Sequence, residues 1–171
     1  MQLLTFSVAG QSYAIPSRMV IEVLPLVPVR PIPLMPDFCL GVFCYRGTLV
    51  PLIDLGLRFG GARIGTSGAS RLSTRVIVVE CTMLSDAGPS TGHGLRLGVV
   101  AEDVVAVCSD DAAEGSLPAM DLGRAPFLGR LLRFSDRTVQ VLLVEKLLPA
   151  DLLAGLCQTD PAANDPGANQ R

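Results

Sequence analysis

The pattern of apolar and polar positions along this chain is one of short strands. Leu3 to Val8 alternates, and Gly10-Gln11 makes a turn into Tyr13-Ala14-Ile15. Pro16 ends that strand, because its missing N–H cannot continue a ladder. Met19 to Leu24 is apolar except for Glu22, and five prolines (25, 28, 31, 33 and 36) then predict an extended, poorly paired path. Asp37 to Leu40 reads as one helical turn stopping at Gly41. Val42 to Tyr45 and Thr48 to Ile53 read as a hairpin around Arg46-Gly47, where glycine suits the positive φ of a tight turn. Pro51 argues that the second strand is an edge, or that its N–H side faces no neighbour. Asp54 is placed as the N-cap of a short helix through Phe59.

Further along, Gly60 to Thr74 and Ser85 to Gly94 read as mobile loops, with a buried strand, Arg75 to Cys81, between them. Leu95 to Val100 and Val104 to Cys108 read as two strands broken by Glu102-Asp103, and Ser109 to Arg124 as an irregular connection. Leu131 to Phe134 and Thr138 to Val144 form a hairpin around Ser135-Asp136-Arg137, and Pro149 to Leu156 a short closing helix. Gln158 to Arg171 holds no apolar residue larger than alanine or proline, the composition of a disordered tail. There is a faint internal echo. Leu40-Gly41, a hairpin, then Asp54-Leu55 resembles Leu128-Gly129, a hairpin, then Glu145-Lys146-Leu147. The offset is 88 residues between Gly41 and Gly129 and 90 between Thr48 and Thr138, as two similar small barrels in tandem would leave behind. Many short strands with turn-rich links make the chain all-β.

Length and charge narrow the function. A chain of 171 residues suffices for one compact domain or two very small ones sharing a core. A net charge of −2 and a pI near 5.3 argue against nucleic acid as partner. Aromatics amount to 5% with no tryptophan, and Phe6, Tyr13, Phe43, Tyr45, Phe59 and Phe134 read as core or turn residues rather than a stacking platform. Mean hydropathy of +0.46 is high, yet the apolar runs are strand-length, below the roughly 18 residues of a membrane span. With no basic or cleavable leader at Met1 to Phe6, the expected location is cytoplasmic, with apolar surface left for partners. Five cysteines at unpaired spacings predict buried or half-buried reduced thiols and no metal site.

Candidate chemistry is sparse. A nucleophile–histidine site would have to use His93, the single histidine, which lies in a Gly/Ser/Pro loop. Asp54 follows a strand as a phospho-acceptor does, but the acidic pair and later lysine of a receiver domain have no counterpart. Gly60-Gly61 lacks the lysine and hydroxyl of a phosphate-binding loop. No catalytic residue, metal or cofactor is therefore expected. Glu22 and Arg46 remain: either two exposed charges worth ~0–1 kcal/mol together, or a facing pair that orients a recognition patch beside Val20, Gly41 and Gly47. Spacing alone does not separate these readings.

Taken together, the segments Phe6, Tyr13-Ala14-Ile15-Pro16, Val20-Ile21-Glu22-Val23, Pro33, Pro36, Gly41 to Gly47 and Val50-Pro51-Leu52-Ile53-Asp54-Leu55 resemble the CheW-like family of chemosensory coupling proteins. The strands Val76 to Glu80 and Leu97 to Val104 extend the resemblance, which spans roughly Leu3 to Leu153. It implies two tandem five-stranded SH3-like barrels on a shared core, a CheW-like domain of two intertwined subdomains over 1–156 and a tail over 157–171. The implied function is a non-enzymatic scaffold bridging a methyl-accepting receptor tip to the regulatory domain of a CheA-type histidine kinase. It would work in receptor arrays at the inner membrane without inserting in it, with self-association compatible. Carried over by motif, Glu22 and Arg46 match paired acidic and arginine positions, and Val20, Gly41 and Gly47 match the partner-contacting surface. Cys44 replaces the usual asparagine, and the loops at 60–74 and 85–94 are enlarged, as would suit a secondary, non-swimming system. Competing readings are a small ligand-binding barrel and a regulator that binds a kinase alone.

Overall fold

Apolar alternation is realised as ten strands in a computed structural model that describes residues 1–65, 70–81, 94–119 and 123–152. In chain order they are β1 (Gln2–Val8), β2 (Gln11–Pro16), β3 (Val20–Leu24), β4 (Cys39–Tyr45), β5 (Thr48–Asp54), β6 (Arg75–Cys81), β7 (Leu95–Ser109), β8 (Gly115–Leu117), β9 (Leu128–Arg133) and β10 (Thr138–Leu142). Two one-turn helices, α1 (Leu55–Arg58) and α2 (Ser70–Ser73), follow β5 and precede β6. His93, Cys157, most of the 85–94 loop, the end of the closing helix and the tail lie outside the described residues.

The pairing is a path β3-β6-β7-β1-β2-β10-β9-β8, with β5 joining β7 to β4. It resolves into two barrels that share β7. Its first half pairs antiparallel with β6 and parallel with β5, completing a contiguous barrel of β3 to β7. Its second half pairs with β1, and β1-β2-β10-β9 complete a split barrel from the two ends of the chain. The echo is structural: hairpin β4-β5 lays β5 parallel to β7, and hairpin β9-β10 lays β10 parallel to β2. Short β8 pairs with β9 much as Arg30 bridges to Val42 of β4.

Side-chain alternation sorts the core into three clusters. Val76 and Val78 of β6 face into the contiguous barrel with Phe43, Val50 and Leu52. Ile77 and Val79 face the other way, into a larger cluster between the barrels with Phe6, Ile15, Ile53, Leu97, Phe127 and Leu147. Leu3, Ala14, Leu132 and Val139 fill the split barrel. A strand buried on both faces reads as an unbroken apolar run, which is why Val76 to Val79 shows no polar alternation. Fully burying each such Ile or Leu is worth ~1.5–3 kcal/mol.

Several local expectations are corrected. The Glu102-Asp103 pair does not end a strand: β7 runs on through it. Asp103 has φ 47° and the register to β1 slips between Thr5 and Ser7, a bulge where the strand passes from one barrel to the other. Asp37-Phe38 is only a turn, closed by Cys39 N–H on Pro36 O at 2.8 Å, and β4 already begins at Cys39. β5 is not an edge, since β4 and β7 flank it; the ladder to β7 begins at Leu52, one residue past Pro51. Ser70–Ser73 is helical within the expected loop, and β8 lies in the expected irregular stretch. Cys39, Cys44, Cys81 and Cys108 are free thiols, but Cys44 is exposed, because the alternation that buries Phe43 and Tyr45 turns it outward. Burial pushes the Cys81 thiol up to about 12.

Candidate functional site

Hairpin β4-β5 turns on Arg46 at φ 48° and Gly47 at φ 80°, positive at both central positions as a type I′ turn requires. Gly47 is there for conformation rather than space, since a Cβ would meet nothing within 4 Å. Arg46 bears the less favourable left-handed backbone of a side-chain residue, so its guanidinium is presented from a fixed base.

Across from the turn stands Glu22 on β3. Strands β3 and β4 are the two ends of the contiguous barrel's sheet, so nothing in the ladder joins them here. Side chains do. Glu22 Oε2 accepts from the Tyr45 hydroxyl at 2.6 Å and from Arg46 Nη2 at 3.0 Å. Accepting from the phenol, Glu22 holds Tyr45 above its ordinary pKa. The Tyr45 ring is buried, with Arg46 over it at 5.2 Å and Arg96 at 6.0 Å from the centroid. The Arg46 side chain is 68% exposed and that of Glu22 38%, so the ion pair adds little stability and leaves most guanidinium donors facing solvent.

The five expected residues are thus placed differently from one another. Glu22, Arg46 and Gly47 lie together at the barrel mouth. Val20 is half-buried and packs on the inter-barrel cluster. Gly41 lies below the surface at φ 132°, where a Cβ would sit 2.1 Å from the Arg30 carbonyl oxygen. It shapes the bulge that lets Arg30 and Val42 exchange backbone hydrogen bonds at 2.8 and 2.9 Å. The sequence reading missed the Tyr45 hydroxyl as the second donor to Glu22, although Tyr45 shares its strand face with Phe43 and the turn follows it directly. It also passed over Ile21, Val23 and Leu49, exposed apolar side chains on β3 and β5.

Asp54 supports this hairpin from the far end. It is fully buried, its Oδ1 accepting from Leu57 N–H and its Oδ2 from Ile64 N–H, both at 3.0 Å. Burial raises its pKa, and the backbone donors only partly offset that rise. Two satisfied backbone donors make it a cap and loop anchor. Among the described residues, no group of three or more His, Cys, Asp or Glu is placed to hold a metal.

The CheW-like domain profile matches residues 2–151 of this chain. The chain belongs to the CheW-like domain family. Its SH3-like double barrel is that family's architecture, and the crystal structure of the scaffolding protein TtCheW from Thermoanaerobacter tengcongensis superposes with a TM-score of 0.67, at 25% identity over 88% of each chain. Among curated relatives, the chemotaxis protein CheW of Helicobacter pylori is 37% identical over 60 residues, 35% of this chain and 36% of that protein. Protein FrzA of Myxococcus xanthus is 36% identical over 112 residues, 63% of this chain and 66% of FrzA. The matched segments therefore span less than two thirds of either of those relatives.

Proposed function

We propose that this chain is a non-enzymatic adaptor that couples methyl-accepting receptor tips to the regulatory domain of a CheA-type histidine kinase. The carrying observation is the exposed Arg46 guanidinium, set on a left-handed turn and steadied by Glu22. A charge presented in this way supplies register and selectivity at an interface more than raw affinity. Glu22, Arg46 and Gly47 form the contact patch, Val20 and Gly41 its support, and Ile21, Val23 and Leu49 its apolar border. Exposed Cys44 sits two residues before Arg46 and opposite Leu49, which makes it a position that tunes partner choice. No described helix is long and apolar enough to cross a membrane. On this reading the chain reaches the inner membrane through receptor arrays, where array geometry supplies effective concentration and each contact need be only about micromolar.

Arg46→Glu tests the patch. The variant is expected to keep its circular dichroism spectrum and its melting temperature while losing capture of both the kinase regulatory domain and the receptor tip. Unchanged binding of both partners would overturn the assignment.

A further inference from the structure

The barrels are joined by the continuous strand β7, which bulges at Asp103, and by an inter-barrel cluster that is apolar almost throughout; apolar packing is non-directional and by itself leaves the angle at that bulge unset. A polar side chain also crosses this seam. Arg58, at the end of α1, reaches out of the contiguous barrel and donates from Nε to the Leu147 carbonyl at 2.7 Å, on the far side of the seam. Its guanidinium carbon lies 4.8 Å from the Phe38 ring centroid and 4.4 Å from that of Phe127. Phe38 belongs to the contiguous barrel, its carbonyl accepting from Asp54 N–H at 2.8 Å. Phe127 belongs to the split barrel, its carbonyl accepting from Leu143 N–H at 2.8 Å. Phe59 stacks on Phe127 at 5.2 Å with the rings 10° from parallel, and Tyr13 of β2 follows at 4.9 Å.

Two features make this more than packing. Among the described residues no carboxylate forms a salt bridge with Arg58, so one ring from each barrel and a backbone carbonyl are what surround a partly desolvated cation. Burial also lowers its pKa. A planar guanidinium stacked on rings and bonded through a fixed N–H is satisfied over a narrow range of angles, unlike a flexible ammonium. We infer that Arg58 is a positioning residue that fixes the angle between the two barrels, and through it the geometry in which two partners are held at once. The second half of this statement rests on the adaptor reading; the first does not.

Residual dipolar couplings on the labelled full chain test the first half. In the unaltered protein one alignment tensor fits both barrels. In Arg58→Met and Arg58→Lys each barrel still fits by itself, and the joint fit fails. A joint fit that survives both substitutions overturns the inference. If Arg58→Met does not fold, Phe127→Leu carries the same measurement by removing one ring face. For the second half, each variant is titrated with the kinase regulatory domain alone, the receptor tip alone, and both together. Binary affinities are expected within about twofold of the unaltered protein, while joint assembly falls at least about tenfold because the sites no longer fit one geometry. Weakened binary binding with unchanged barrel orientation would make Arg58 a direct contact and overturn its positioning role. Reorientation with undiminished joint assembly overturns the link to function. Titrations of the unaltered protein judge the adaptor reading separately, and if that reading fails there, the couplings still decide the role of Arg58.

Discussion

Asp54 is the residue on which burial and charge conflict most directly. Its carboxylate is out of solvent and pinned by two backbone donors, and desolvation raises its pKa. A raised pKa means that the folded chain takes up this proton more readily than the unfolded chain does. The contribution of Asp54 is therefore fully present below the unfolded value and declines as pH rises through the folded one. Asp54→Ala strands the Leu57 and Ile64 N–H groups and is expected to cost about 2–3 kcal/mol at neutral pH. The gap to the unaltered protein should widen on acidification towards the ordinary carboxylate range. Urea titrations at several pH values measure this, and a gap that narrows with acid would refute it. The cap itself was legible, because an aspartate between a strand and a Leu-Gly-Leu-Arg turn has few other roles. Its bond to Ile64 was not, since the path that returns Ile64 to the carboxylate is tertiary. Arg58 was hidden for the same reason: its partner carbonyl lies 89 residues away.

At the scale of elements, the bulge at the start of β4 decides whether the contiguous barrel closes. Gly41 permits Arg30 and Val42 to pair, a reciprocal backbone link that ties the middle of the proline-rich passage to the sheet. Gly41→Ala combines a backbone strained for any L side chain with a Cβ driven into the Arg30 carbonyl. It is expected to destabilise the fold by about 2–4 kcal/mol. Hydrogen exchange should show the amides of Arg30 and Val42 losing protection first; retained protection there would place the effect elsewhere. Hairpins and buried strands were readable from period and turn residues, because those signals are local. The register slip at Leu40 and the continuity of β7 through Asp103 were not. A bulge and a break leave the same polar interruption in a sequence, and only the neighbouring strand distinguishes them. Pro51 offered two readings, an edge strand or an N–H side without a neighbour; β4 and β7 on either side reject the first, while the ladder to β7, starting one residue past Pro51, is compatible with the second.

For the whole molecule, the interleaving of the barrels sets the order in which contacts become favourable. The contiguous barrel lies between Val20 and Ala101, whereas the split barrel requires Tyr13 to meet Gln140 and Ala14 to meet Val141. Contacts between distant residues form late, because chain entropy is lost before they return any energy. Pulse-labelled exchange during refolding should protect 75–81 and 95–101 before 11–16 and 138–142. Simultaneous protection of Ala14 and Ile77 would reject this order. The echo between Gly41 and Gly129 made two barrels legible, but not which strands complete which barrel, since periodicity names a strand's faces and not its neighbours. Synthesis runs from the N-terminus, so the opening hairpin leaves the ribosome long before the segments that will flank it exist. A translation complex halted ahead of Leu128 would carry one finished half and a hairpin flanked by β7 alone, its β2 edge open to any passing strand.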